Sequence, residues 1–567
     1  MSWFERVAEE AVQFENLETL TLDVCNKLAE YHSLSEILQM QQENLLAKLV
    51  LRNQNDRLTL SLKEKKATAY LASLLACLRC ESRIAGEVTG GDDAVKELAL
   101  NVANVIAPVA AQHEGPNAAA ELAEDLLQRS QRLLKQCQDL ATPGIVVLEE
   151  LIKQAVSPVW LGDEVLFTLL ACADETQTWP RPETKTTAER LLEQQLNHVP
   201  DAPTKEQFLT ETVLQTYLRP LFSKSKPASV TASGRRAEYA DGAANRGESM
   251  PDESALIKPW KYTDLRAVSA VGWAVREADS LLIAKHWPLF IPVLLTLVDD
   301  VTTSIRRRGL VILADFLHKV SDRTLHDTGL AKVFEDAIFP TLAFLPSLTP
   351  ERESVELLSP AYGALRKLAD KQPTAGKEGI RRKPKISLLD RMLREGVFMG
   401  YFHAKEHVRI VEVLCQQTMP ILDEMGVHAV KHLKDLIPML SAIMTDPFAP
   451  VAPQTLLAAI QALQRVLANC WPRIPGSPWQ DEIINALVLC WLHLDEHEQS
   501  PTGEVYIQLK QELLTTSKVL AALLKTSKAE NEAATELSSH VAPLVAKEPR
   551  LAALFPPNSP DSSPAQA

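Results

Sequence analysis

The chain has 567 residues, and 59 Lys+Arg against 73 Asp+Glu leave a net charge of −14 with a pI near 5.5. That balance argues against a protein that coats DNA or RNA, which needs a basic surface. Hydrophobic residues at 46% with aromatics at only 5% suit Leu/Ala-rich helices rather than a β-sandwich or propeller, and the length allows about three to five domains or one repeat array.

The opening residues, Met1 to Glu10, are acidic and amphipathic, without a basic n-region or an apolar h-region, so no secretory signal is expected. Helical period runs through 59–80, where Leu60, Leu62, Ala67, Tyr70, Leu71, Leu74, Leu75 and Leu78 recur at three- and four-residue steps. The same period predicts helices over 95–109, 118–137, 146–156 and 188–196, with Gly115-Pro116, Thr142-Pro143 and Ser157-Pro158 at their edges. No segment alternates with period two, so no sheet is expected. Eight cysteines, at 25, 77, 80, 137, 172, 415, 470 and 490, fall mostly inside apolar helical patterns and read as reduced, buried thiols of an intracellular protein. The most apolar stretch, from Trp287 to Val298, is short and carries Pro288 and Pro292, so it is not expected to span a bilayer.

Composition divides the chain into an N-terminal helical region (1–222), a disordered linker (223–256), a C-terminal repeat region (257–555) and a disordered tail (556–567). The linker is rich in Ser, Ala, Gly and charge, with Tyr239 as its one aromatic residue over 223–254. Such a segment cannot offset its ordering entropy by burial. Inside the C-terminal region, 371–385 forms a basic loop with six basic residues against one acid, Glu378.

The C-terminal region repeats a unit. Residues 288–313 and 436–457 both run as an apolar helix with an early Pro, then Asp, a short turn, and a β-branched residue opening a second apolar helix. Pro292 to Asp300 and Pro438 to Asp446 both span 8 residues; Asp300 to Ile305 and Asp446 to Val451 both span 5. Val408-Arg409 echoes Ile305-Arg306, and Pro447 sits in the second turn. Pro292 to Pro340 spans 48 residues and Pro340 to Pro438 spans 98, close to twice that step. A helix pair has one apolar face it cannot bury alone, and stacking pairs makes a continuous core. The predicted fold is therefore all-α: a HEAT/armadillo-like helical-repeat solenoid with a disordered insert and tail. Asp300 and Asp446 are expected to cap the following helix or to hold a basic residue of a neighbouring unit.

Few residues offer chemistry. His403-Ala-Lys-Glu406-His407 reads H-x-x-E-H, the inverted zinc-hydrolase pattern, and His493-Leu-Asp-Glu496-His497 repeats it, with Glu482 or Glu504 as a third ligand. Proteases with this motif sit on mixed α/β folds, so both are read as polar faces of surface helices and no metal site is assigned. His428 and His432, one helical turn apart, have no ligand-spaced Cys or carboxylate beside them and read as helix surface. Cys77-Leu-Arg-Cys80 lacks a second pair and reads as core. Arg306-Arg307-Arg308 opens a helix and is expected to pair with acids of the repeat. Arg381-Arg382-Lys383-Pro384-Lys385 reads as a solvated loop, with a nuclear-localisation patch as the alternative. No G-x-x-x-x-G-K-[ST], G-x-G-x-x-G or G-x-S-x-G occurs, so no cofactor and no catalytic residue is assigned.

Three blocks carry a family resemblance. They are Arg391-Met-Leu-Arg-Glu-Gly-Val-Phe-Met-Gly-Tyr-Phe-His-Ala-Lys-Glu-His-Val-Arg409 with its continuation to Leu414, His428-Ala-Val-Lys-His-Leu-Lys-Asp-Leu-Ile-Pro438 with Asp446-Pro447-Phe448, and Asn469-Cys-Trp-Pro-Arg473. With 294–309 and 358–368 they resemble the Tel-two-interacting protein two family in its filamentous-fungal form, most clearly over 260–473. The resemblance implies a non-enzymatic adaptor of the Triple-T co-chaperone complex. Its implied partners are Tel-two-interacting protein one and Tel-two, and indirectly the heat-shock-protein-ninety chaperone and phosphatidylinositol-kinase-related kinases, including TOR and the DNA-damage checkpoint kinases. No nucleic acid or membrane partner is implied, and the expected localisation is cytoplasmic and nuclear. A transport or phosphatase-type HEAT scaffold is the alternative, and a zinc hydrolase on His403, Glu406 and His407 the remote one.

Overall fold

Helical periodicity in the sequence becomes helix throughout the computed structural model, which describes residues 71, 92–108, 123–155, 157–200, 202–225, 257–372, 384–496, 504–530 and 537–555. Among these residues there is no strand. Most of 59–80, the Cys77–Cys80 pair, most of the predicted linker and the tail lie outside them. The chain divides into two compact units, Met1–Thr296 and Leu297–Ala567.

The first unit contains α1 (Asp92–Ile106), α2 (Ala123–Gln154), α3 (Asp163–Ala173), α4 (Pro182–His198), α5 (205–222) and α6 (Arg266–Glu277). α1, α3 and α6 lie side by side, with α2, α4 and α5 against them. The break expected at Thr142-Pro143 does not occur. α2 runs through it; the Thr142 hydroxyl donates to the Gln138 carbonyl beside the proline, and α1 packs against the same turn. A Cβ on Gly144 would lie 2.2 Å from Ile106 Cγ2, so only glycine allows that approach. α5 is π-helical over Phe208–Leu218, a wider coil than the 3.6 period predicts.

Residues 257–296 group with this first unit. Aromatic packing shows why: Trp260 stacks on Phe222 at 4.9 Å and donates to Ser225 Oγ, and Trp273 meets Phe208 edge-on at 5.7 Å. The first residues of the predicted linker are thus ordered, Ser223–Ser225 forming a 3-10 turn. The apolar stretch at 287–298 belongs to a longer helix than expected, α7 (Ser280–Val298), which holds both prolines inside it. By length and apolarity α7 would suffice to cross a membrane, and half of it is buried within the protein. Thr296 donates its hydroxyl to the Pro292 carbonyl, occupying an acceptor in the proline-containing turn.

The second unit alternates two layers. One holds α8 (Thr303–Lys319), α10 (Glu351–Asp370), α12 (Val408–Met425), α14 (Pro453–Cys470) and α16 (Glu504–Glu530), each packed on the next. The other holds α9 (Leu330–Ile338), α11 (384–404), α13 (Leu433–Met444) and α15 (Pro478–Glu496), followed by α17 (Leu537–Lys547). Helices of the first layer begin at 303, 351, 408, 453 and 504, in steps of 48, 57, 45 and 51 residues. This is a HEAT-like helical-repeat stack, and each step carries its own polar tie. Thr303 bonds Glu353, Glu351 bonds His407, Thr455 bonds the Val408 carbonyl, and Tyr506 bonds the Pro450 carbonyl. Because these bonds join helix starts to helix starts, the five helices run parallel with their N-termini on one edge.

Close packing needs small residues at two points. A Cβ on Gly309 in α8 would sit 2.8 Å from the backbone of Leu297, and one on Gly396 in α11 would sit 2.6 Å from Tyr362 Oη. Gly396 lies in a π-helical turn, Met392–Phe398.

Candidate interaction surface

The repeat residues are read from the turn before α8. Asp300 is buried, and its carboxylate accepts from the Thr302 backbone N–H at 2.9 Å. Thr302 itself precedes the helix, so this is a turn bond rather than the expected cap of α8. The Asp300 carbonyl accepts from Arg306 Nε, while the Arg306 guanidinium also reaches the Asp299 carbonyl and Thr341 Oγ1 and lies over the Phe344 ring at 4.4 Å. Burial pushes the Arg306 pKa down, against the pull of Asp299 and Asp300. The arginine is therefore a buried lock inside its own repeat.

Asp446 repeats the turn bond, accepting from the Phe448 N–H at 2.8 Å, but no arginine follows at the matching place. Val451 lies in a 3-10 turn before α14, not in the helix, and Asp446, Pro447 and Phe448 are exposed. Val408 and Arg409 open α12 and are exposed, whereas Ile305 and Arg306 are the third and fourth residues of α8. The echo between those pairs is two residues out of register, because the turn before α12 is built differently. Pro292 and Pro438 both sit inside helices.

The H-x-x-E-H residues do not share a helix face. α11 ends at Ala404, Lys405 and Glu406 form the turn, and His407 is the residue before α12. His407 Nδ1 faces Glu351 Oε2 at 3.3 Å, and His403 meets the Phe402 ring edge-on. His493 and Glu496 lie in α15, with Glu496 3.8 Å from Arg550, and His497 is outside the described residues. Among the described residues no three His, Cys, Asp or Glu side chains are grouped to hold a metal.

His428 and His432 lie in a 3-10 helix, Gly426–His432, not an α-helix. Four residues there turn to faces about 120° apart. His428 is exposed, while His432 is buried with Nε2 2.9 Å from Asp390 Oδ1, and Lys431 pairs with the same carboxylate. Of the basic run, 381–383 lies outside the described residues, and Lys385 is paired with Asp370 and Glu424. The five described cysteines are buried and form no disulfide, and burial holds Cys172, Cys415, Cys470 and Cys490 up at about 12. Such thiols are inert at neutral pH.

The first unit has an open cleft of about 620 Å³ between α1, α3 and α5, floored by Leu100, Leu161 and Phe167 and rimmed by carboxylates. Burial and the neighbouring Glu164 raise the Asp163 pKa there. Its lining residues include no His or Cys, so it lacks the usual nucleophile–base pairing.

Exposed apolar residues mark the second unit. Val301, Leu348, Phe402, Phe448, Val451 and Ile507 are 54–91% exposed. They lie in or near the segments that lead into the five first-layer helices, Phe402 in the last turn of α11 and Ile507 in the first turn of α16. Sequence reasoning marks Val451 as a repeat residue and holds Phe402 and Phe448 within the family blocks, but passes over Val301, Leu348 and Ile507, because single hydrophobics in turns carry no periodicity.

The sequence model of the Tti2 family matches residues 165–451. That match begins further toward the N-terminus than the resemblance over 260–473. A crystal structure of a Kap121p mutant aligns at 12% identity and a TM-score of 0.38, covering 98% of this chain and 47% of that one, so the chain spans about half of that chain's length. The structure of an engineered protein aligns at 14% identity and a TM-score of 0.29, covering 91% of this chain and 99% of that one.

Proposed function

We propose a scaffold function for this chain, which belongs to the Tti2 family of non-catalytic TTT-complex subunits. The chain joins Tti1 and Tel2 in a heterotrimer. With the heat-shock-protein-ninety chaperone, that trimer supports maturation and stability of phosphatidylinositol-kinase-related kinases, TOR and the DNA-damage checkpoint kinases among them. Cytoplasmic and nuclear residence belongs to the same proposal, because it follows the clients.

The family match over 165–451 carries this reading. The repeat architecture agrees with it, since a stack of helix pairs exposes a long surface while keeping its core continuous. The chemistry agrees too: His403, Glu406 and His407 are divided between a helix end, a turn and a position before the next helix.

Affinity purification of the tagged full chain from its own cells, with mass spectrometry, tests the proposal. The expected result is recovery of Tti1 and Tel2 in near-equal amount. Recovery of karyopherins or phosphatase subunits in their place would overturn it.

A further inference from the structure

We propose that the cleft between α1, α3 and α5 binds a small aliphatic diamine, a cation with an ammonium group at each end of a methylene chain. The site lies within the first unit and does not rest on the subunit reading above. Charge, spacing and lining each narrow the occupant.

Charge excludes an anion. Asp93 and Glu97 line the α1 wall and Asp163 and Glu164 the start of α3, against one cation in the lining, Lys96. Lys96 is already on Asp93, and Arg266 is committed to Asp264 and Glu164 at 2.8 and 2.9 Å. Glu97 and Asp163 are left without an ion-pair partner among the described residues. The N-terminal dipole of α3 offsets part of the charge on its first turn. Partial burial and Glu164 nevertheless hold Asp163 above its ordinary pKa. A cation in the cleft relieves that repulsion.

Spacing excludes a metal ion. Four carboxylates line the cleft, yet no three His, Cys, Asp or Glu side chains among the described residues are grouped to hold one. The two unpaired carboxylates stand on different helices, Glu97 on α1 and Asp163 on α3, which pack side by side. Neighbouring helix axes lie about 8–10 Å apart, a gap that about four or five methylenes bridge with an ammonium at each end.

The lining favours those methylenes. Leu100, Leu161 and Phe167 floor the cleft, and Phe167 stacks on Tyr217 at 3.9 Å. An alkyl chain gains by lying on such a floor, and aromatic faces attract ammonium groups. The third wall is the π-helical part of α5. Bonding i to i+5 widens the coil, so Thr212, Thr216 and Tyr217, at i, i+4 and i+5, share the face that lines the cleft. Thr210 spends its hydroxyl on the Glu206 carbonyl, whereas those of Thr212 and Thr216 have no partner among the described residues and can accept from an ammonium. A volume of about 620 Å³ is that of a small-ligand site.

The test titrates the full chain by calorimetry with cadaverine, the five-carbon diamine, in about 0.15 M salt, which screens diffuse surface attraction. Pentylamine and magnesium chloride are run beside it. The expected result is one saturable cadaverine site per chain, with the one-ended amine and the metal each at least tenfold weaker. Glu97→Gln with Asp163→Asn should weaken cadaverine at least tenfold and leave melting within about 3 °C of wild type. Thr216→Lys, which tethers an ammonium in the cleft at an exposed position, should cause the same loss and keeps the test open if the double variant does not fold. Glu406→Gln with Glu504→Gln removes equal charge from the second unit and should bind as wild type does. Absence of a saturable site, magnesium binding as tight as cadaverine, or unchanged cadaverine binding by the folded cleft variants would overturn the proposal.

Discussion

The two edges of the second unit are built from the same helices and differ in what they expose. At the N-terminal edge the inter-repeat bonds are single and lie beneath a run of exposed apolar side chains. At the C-terminal edge, Lys371 bonds the Val320 carbonyl, Arg366 and Lys385 converge on Glu424, and Asn469 bonds Asp423. Val427 and Trp471 are exposed near that edge, but they stand among polar ties. One edge is laced by charged and polar side chains; the other leaves more apolar surface in water.

That contrast predicts a graded series. Arg306→Met should cost most, about 3 kcal/mol in chemical denaturation, because it strips a buried guanidinium from the Asp300 and Asp299 carbonyls and from Thr341. Arg306→Lys should recover only part of the loss, since an ammonium cannot span the same acceptors while stacking on Phe344. A milder loss, about 2 kcal/mol, is expected for Gly309→Ala, whose new methyl meets the Leu297 backbone at 2.8 Å and cannot be relieved by a rotamer change.

Glu424→Gln should lower stability by about 1 kcal/mol, since it weakens a partly exposed cluster on the laced edge. Phe448→Asp should change unfolding free energy by less than about 0.5 kcal/mol. If Phe448→Asp melts the chain like Arg306→Met, the contrast between the edges is wrong. The smallest effect is alkaline. Burial works against it, yet the hydrogen bond to Asp370 and the charge of Glu424 hold Lys385 above its ordinary 10.5. A raised lysine stabilises fully below the unfolded value, and that contribution fades as pH rises through the folded value. Wild type should therefore lose more stability above pH 10.5 than Lys385→Met does, measured by thermal melts across that range.

Much of the fold was legible in advance. Apolar spacing at three and four residues predicted helices, and the recurrence of Pro and Asp near 48-residue steps predicted stacked pairs. Both signals are local, and burial of one helix face writes them at every turn. Thr142-Pro143 reads as a helix edge, while the structure carries α2 through it, and the helix holding Pro288 and Pro292 starts earlier than the apolar stretch suggests. Val408-Arg409 matched Ile305-Arg306 by letter but not by register. Of the candidate surface, Asp446, Pro447 and Val451 were singled out as repeat structure and are among the exposed residues at the N-terminal edge of the stack. Leu348 and Ile507 carried no mark.

Sequence alone was enough for the class of structure, the buried state of the five described cysteines and the family, since each depends on composition or on patterns within a few turns. Side-by-side placement was needed for the rest. Arg306 becomes a lock only when Thr341 and Phe344 fold over it. The dispersed residues Val301, Leu348, Phe448 and Ile507 come to the same edge of the stack only because the helix starts beside them align. Their spacing along the chain is tens of residues, and no local pattern records which of those distant turns will share an edge.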